Sequence, residues 1–183
     1  ALPIWNGASR NRNRNHIFAS LTAGFADCLR HFVGFSKSNA DGSVAIADDH
    51  KIFRDGIKMA LSDKPNLKML WEAEDGKDMI HKIGIKKPDV LLMDIRMPEI
   101  DGINAIQLIR KEHEDIRIIV LSMYDDQQMI SKMMEMGANA FLTKTTDPQE
   151  IYEAIISCVT EDFYFNDLVN KAFKGRLMQK KGV

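Results

Sequence analysis

Between residues 44 and 158 the chain alternates short, almost wholly apolar runs with longer stretches in which apolar residues return every three or four positions. The runs at 44–47, 68–73, 90–93, 117–121 and 140–142 predict five strands, and the stretch after each predicts a helix. In the first helix Ile52, Phe53, Ile57, Ala60 and Leu61 mark the apolar stripe; the others lie near 76–83, 102–111, 126–136 and 147–158. Strands that recur every 22–27 residues with a crossover helix between them imply parallel pairing, right-handed connections and helices on both faces of the sheet. The expected fold is α/β: a flavodoxin-like, doubly wound, five-stranded parallel sheet of (βα)5 type. Ligands of such sheets bind outside the carboxyl ends of the strands, where the strand order reverses.

The predicted strand ends carry a consistent chemistry. The first runs into Asp48-Asp49 and the third into Asp94. Three carboxylates in one crevice repel one another unless a cation or protons compensate them. Mg²⁺ takes a few carboxylate or carbonyl oxygens and keeps several waters, which suits a shallow site of this kind. Any one of these aspartates could instead be a helix N-cap; three at neighbouring strand ends favour a metal site. The fourth strand delivers Ser122, and Lys144 follows the fifth. A hydroxyl and an ammonium converging on an acidic metal site have a purpose if a dianionic phosphoryl group is present for part of a cycle.

Composition refines this picture. The chain has 183 residues, 45% hydrophobic and 28% charged, enough for one well-cored α/β domain and a shorter remainder. A net charge of −1 argues against overall attraction to nucleic acid, but the charge is uneven. Residues 1–43 hold five basic and two acidic residues, leaving twenty basic and twenty-four acidic for the rest. That front segment, with its Asn/Arg run at 11–15, reads as an appended leader foreign to the domain. An amphipathic membrane-surface helix or an Arg-rich targeting peptide are the alternatives. Cys28 and Cys158 match no metal or redox spacing and are expected to be reduced thiols of a cytoplasmic protein. The longest near-apolar stretch in the body of the chain, 116–123, contains Arg117 and is far short of the ~20 residues a membrane span needs, so no membrane partner is expected.

Taken in order, Asp48-Asp49, the segment Met93-Asp94-Ile95-Arg96-Met97-Pro98-Glu99-Ile100-Asp101-Gly102, Ser122, and Lys144 after Phe141-Leu142-Thr143 resemble the receiver domain of two-component response regulators. The wording from Ala47 to Gly56 looks most like the NarL/FixJ subfamily, whose members usually carry a LuxR-type helix-turn-helix domain after the receiver. The resemblance implies that Asp94 accepts a phosphoryl group from a sensor histidine kinase. Asp49, Asp94 and the backbone carbonyl of Arg96 would hold Mg²⁺ directly and Asp48 through water. Lys144 and Ser122 would contact the phosphoryl oxygens. Ser122 and Phe141 would form the switch, Phe141 turning inward as Ser122 moves toward the phosphoryl group and repacking the face of helix 4, strand 5 and helix 5. Arg96 and Tyr124 would flank the site and tune the lifetime of the acyl phosphate. Two departures stand out: Thr145 replaces the proline that usually follows the lysine after a cis bond, leaving that bond's isomer open, and Phe141 lacks a tyrosine hydroxyl.

These readings divide the chain into a leader (1–43), a receiver (44–160) and a linker or extra helix (161–183) leading to an output domain. DNA would be bound only through that output domain, and a homodimer is possible. The basic residues Lys171, Lys174, Arg176, Lys180 and Lys181 read as one side of a solvated linker helix rather than a nucleic-acid patch. Met129, Met133 and Met136, at helical spacing, read as core, and His50 could lie near the site. Two other functions compete with phosphorylation-controlled transcription. One is a stand-alone receiver acting by protein–protein binding. The other is a haloacid-dehalogenase-type phosphatase, which wants a second acid two residues after its nucleophile where this chain has Arg96. Apart from its own phosphotransfer and autodephosphorylation, the protein is not expected to be an enzyme.

Overall fold

A computed structural model describes residues 41–180. The predicted leader therefore lies, up to residue 40, outside the described residues. Five strands, β1 (Gly42–Ala47), β2 (Leu67–Ala73), β3 (Val90–Asp94), β4 (Arg117–Ser122) and β5 (Ala140–Thr143), form one sheet in the order β2-β1-β3-β4-β5. All four pairings are parallel. The helices are α1 (Lys51–Leu61), α2 (Gly76–Ile85), α3 (Gly102–Glu112), α4 (Gln127–Glu135), α5 (Pro148–Glu161) and α6 (Asp167–Lys180). This is the flavodoxin-like fold expected. Each strand is longer than its apolar run; β1 starts at Gly42, whose N–H donates to the Asn66 carbonyl at 2.9 Å.

The chain steps outward from β1 to β2, returns across β1 to β3 and continues through β4 to β5, so the order reverses between β1 and β3. Successive residues of each central strand enter opposite halves of the core. Ala45, Leu91, Ile118 and Phe141 pack with Met79, Ile106, Ile130 and Met133 of α2, α3 and α4. Val44, Leu92, Ile119 and Leu142 pack with Ile57, Leu61, Ile151 and Ile155 of α1 and α5. Each fully buried aliphatic side chain contributes roughly 2 kcal/mol of hydrophobic stabilisation, and burial on both faces is why β1, β3, β4 and β5 carry unbroken apolar runs, whereas half-buried β2 contains Lys68 and Glu72. Met129, Met133 and Met136 do belong to the core or pack against it. Burial also pushes the Cys158 thiol up to about 12, keeping it un-ionised at neutral pH.

Four helices begin on an aspartate whose side chain accepts a backbone N–H of the first turn: Asp75 from Asp78, Asp101 from Asn104, Asp126 from Met129 and Asp147 from Gln149. Helix α1 starts instead on His50, which makes no side-chain cap. The aspartates beside it are engaged elsewhere.

Two expectations need correction. On α1 the sheet-facing stripe is Arg54, Ile57 and Leu61, while Ile52 is 88% exposed. Ile52 and Phe53 cannot both face the core, because adjacent helical residues point about 100° apart. Second, α6 is not a solvated helix. It packs on α4 and β5, with Val169 and Ala172 buried in the same cluster as Phe141 and Met133. Arg176 pairs with Glu135 of α4 at 2.7 Å, and the side-chain amide of Asn166 donates to the Phe141 carbonyl at 3.1 Å. Of the predicted basic set, Arg176 is thus taken up by the receiver, whereas Lys171 and Lys174 face solvent.

Val169→Asp would place an unpaired charge in that apolar seat. It is expected to undock α6, so that limited proteolysis cuts between α5 and α6 while the remaining fragment keeps a cooperative thermal transition. Wild-type resistance in the variant would contradict the packing.

Candidate functional site

The site forms where the strand order reverses. β1 and β3 pair with Ala47 beside Met93, which brings the next residues, Asp48 and Asp94, side by side at the carboxyl end of the sheet. Asp48 is fully buried and Asp94 nearly so. Neither is a helix cap: Asp48 accepts the His50 backbone N–H at 2.8 Å and Asp94 that of Arg96 at 3.2 Å, tight local turns that leave the other carboxylate oxygen facing the crevice. Asp49 is partly exposed at the mouth. Ligand atoms of Asp48, Asp49, His50 and Asp94 all lie within 4.8 Å of one another.

Lys144 joins this cluster from beyond β5. Its backbone N–H donates to the Ser122 carbonyl at 2.7 Å, which ties the end of β5 to that of β4. Its ammonium lies 2.7 Å from Asp48 Oδ2 and 2.7 Å from Asp94 Oδ2, with the side chain only 5% exposed. Burial works to discharge the amine, but hydrogen bonds and charge from Asp48 and Asp94 outweigh it and hold the Lys144 pKa above its ordinary value. Phe53 of α1 backs the ammonium, its ring centroid 5.1 Å away. The Lys144–Thr145 bond is trans, since the described residues contain no cis peptide.

Ser122, the last residue of β4, is buried, and its hydroxyl accepts the Tyr124 N–H at 3.0 Å. The guanidinium of Arg96 stacks on the Tyr124 ring at 4.4 Å, so the two residues expected to flank the site touch each other. Phe141, expected to turn inward as Ser122 moves, is fully buried here. Its ring lies in the core cluster that also holds Ile130 and Met133 of α4 and Val169 and Ala172 of α6. Behind Asp94 the loop folds tightly: Gly102 donates to the Ile95 carbonyl at 2.8 Å, and a Cβ there would sit 2.7 Å from the Ile95 Cα, so only glycine fits.

The structure thus gathers Asp48, Asp49, Asp94 and Lys144 in one cluster, sets Ser122 beside it through its bond to Lys144, and places Phe141 on β5 paired with Val120 of β4. His50 does lie at the site, its Nδ1 2.7 Å from Asp49 Oδ1. Sequence reasoning missed Phe53 as the floor beneath Lys144, and Arg54, whose Nη1 donates to the Asp48 carbonyl at 2.6 Å. Position 54 shares a helical spacing with Ile57 and Leu61, which marks the inward face of α1 but not the contact with Asp48.

Comparison with known proteins agrees with this fold. The response regulator receiver domain family matches residues 44–156, and the chain belongs to that family. Its relatives are response regulators of the LuxR/NarL type. They include the transcriptional regulatory protein DegU of Brevibacillus brevis, 33% identical over 61% of this chain and 48% of that protein. The response regulator UvrY of Escherichia coli is 34% identical over 67% of this chain and 56% of its own. The chain spans about half the length of the curated relatives it matches. Among solved structures, a LuxR-family response regulator from Aurantimonas superposes with a TM-score of 0.70 at 25% identity, covering 75% of this chain and 99% of that one. The NarL receiver domain of Mycobacterium tuberculosis superposes at 0.63 with 31% identity, over 66% and 98%. The isolated RcsB receiver of Salmonella enterica, solved with the phosphomimetic BeF3⁻, gives 0.67 at 25% identity, over 72% and 98%. No helix among the described residues is long and apolar enough to cross a membrane.

Replacing Lys144 by Met would leave two buried carboxylates facing each other. Removing one partner of a buried ion pair typically costs about 3–5 kcal/mol. Urea denaturation at pH 7 is expected to show a loss of that order, partly restored by millimolar Mg²⁺ and not by Na⁺ at equal ionic strength. Because the Lys144 pKa is raised on folding, its contribution is complete below the unfolded value near 10.4 and fades as pH rises through the folded one. Wild type should therefore lose stability at alkaline pH in a phase that Lys144→Met lacks.

Proposed function

We propose that Asp94 is the phosphoacceptor of a two-component response regulator. The observation that carries this reading is the ammonium of Lys144 shared at 2.7 Å between Asp94 and Asp48 at the switch point of a receiver-family sheet. A carboxylate oxygen of Asp94 attacks the phosphorus of a phosphohistidine on a sensor histidine kinase; the P–N bond breaks and the imidazole leaves with its electron pair and takes up a proton. Lys144 then exchanges an Asp94 oxygen for a phosphoryl oxygen, and the Ser122 hydroxyl turns from the Tyr124 N–H to donate to another. Such transfers depend on positioning and charge neutralisation more than on covalent work by the protein.

The donor set fits Mg²⁺: hard carboxylate oxygens, converging and over-supplied with negative charge for a single lysine. Asp49, Asp94 and the Arg96 carbonyl would hold the ion and Asp48 would act through water. When bound, it supplies positive charge to the oxygens of the transferring group. The kinase would approach over the open groove of about 600 Å³ beside the site, whose wall includes His50, Ile52, Phe53, Met123 and Thr146.

In this reading residues 44–160 are the receiver, and the segment beyond leads toward an output domain that binds DNA, as the response regulator RcsB has been solved in complex with DNA. A cytoplasmic location and a phosphorylation-dependent homodimer belong to the same reading. Movement of Ser122 reaches α6 through β5, because Asn166 holds the Phe141 carbonyl.

Incubation with acetyl phosphate and Mg²⁺ is expected to add one phosphoryl group to the intact protein by mass spectrometry, and EDTA should prevent it. Asp94→Asn should stay unlabelled, and Lys144→Ala should label at least about tenfold more slowly. Equal labelling of Asp94→Asn and wild type would overturn the assignment; sustained turnover of phosphate monoesters would point to a phosphatase instead.

A further inference from the structure

Six polar residues are buried among those described: Asp48, Asp94 and Ser122 of the site, Ser131 on α4, Asn139, and Arg54. Asn139 has an evident structural task, since its side chain accepts the Ile118 N–H and donates to the Asp162 carbonyl. Arg54 does not explain itself so easily. It lies on the sheet-facing stripe of α1 with Ile57 and Leu61, where an aliphatic residue would pack without the cost of burying a charge.

What the guanidinium does there is specific. Nη1 donates to the Asp48 carbonyl at 2.6 Å, and Nε donates to Glu72 Oε2 at 3.0 Å. Glu72, on β2, also receives Lys58 at 3.0 and 3.1 Å, and Lys58 pairs with Asp55 at 2.8 Å. The guanidinium is thus oriented by a network anchored on a different strand from the one it serves. The other groups of Asp48 are already committed: its N–H to the Ala73 carbonyl at 3.1 Å, its carboxylate to Lys144 and to the His50 N–H. The peptide between Asp48 and Asp49 carries two of the three site carboxylates on either side. Its rotation is set through its two polar groups, the Asp48 carbonyl and the Asp49 N–H, and Arg54 holds the carbonyl.

We infer that Arg54, oriented by Glu72, is a positioning residue that locks the Asp48–Asp49 peptide and so sets the affinity of the site for a divalent cation. The inference rests on the reading of that site as a Mg²⁺ site. It also makes a prediction opposite in sign to simple electrostatics. A nearby guanidinium repels a cation, so if its charge were what mattered, removing it would tighten Mg²⁺ binding; if its hold on the peptide is what matters, removing it weakens binding.

Calorimetric titration of the full chain with MgCl2 tests this on wild type, Arg54→Met, Arg54→Lys and Glu72→Gln, each checked for a cooperative melt. The Kd for Mg²⁺ is expected to rise about tenfold in Arg54→Met and severalfold in Glu72→Gln. In labelling with acetyl phosphate, the Mg²⁺ concentration for half-maximal rate should rise in parallel, while the rate at saturating Mg²⁺ stays within about twofold of wild type. Should Arg54→Met fail to fold, Arg54→Lys and Glu72→Gln decide the matter, with the same direction expected. Unchanged or tighter Mg²⁺ binding in the folded variants overturns the inference, as does a fall in saturating rate with no change in Mg²⁺ requirement. If wild type itself takes up no Mg²⁺ at millimolar concentration, it is the metal reading of the site that fails.

Discussion

One buried cation shared by two buried carboxylates governs this protein. Lys144 reaches from beyond β5 across the ends of β4 and β3 to Asp94 and Asp48, so a single ammonium ties together strands that are not neighbours. Without it the crevice would hold two negative charges with no counter-charge in contact. With it the crevice is still short of positive charge, since Asp49 adds a third carboxylate. The central strands beneath, β1, β3 and β4, are largely buried, and the deficit is what would favour a further cation there.

The rest of the site is arranged around this constraint. The Ser122 carbonyl fixes where the Lys144 backbone lies, the Phe53 ring limits where its head can go, and Arg54 fixes the peptide that presents Asp48. Aspartates that do ordinary capping work, such as Asp75 and Asp147, are spread over the helix starts, and those at the switch point are kept free of it. The same residue type is thus divided between two tasks by its place relative to the strand ends.

The fold and the acidic centre were legible in the chain because both leave local marks. Strands covered on both faces carry unbroken apolar runs, and the site residues sit within two residues of where those runs end. Arg54 was not legible, since patterning sorts residues into apolar and polar and a buried guanidinium violates that division. The packing of α6 was equally hidden: Leu168, Val169, Ala172 and Phe173 are interleaved with lysines and an arginine, and only the tertiary partner shows which side faces inward.

The docked α6 also changes what it means for another molecule to bind this side of the receiver. Only residues 162–166 connect it to α5, so it presents itself to α4 and β5 at an effective concentration in the millimolar range. A competitor must exceed that tethered affinity, or the hold of Val169 and Asn166 must first be loosened from within the domain. The helix therefore acts as a threshold: weak or chance encounters with the α4–β5 side are screened out by a ligand that the chain carries with it.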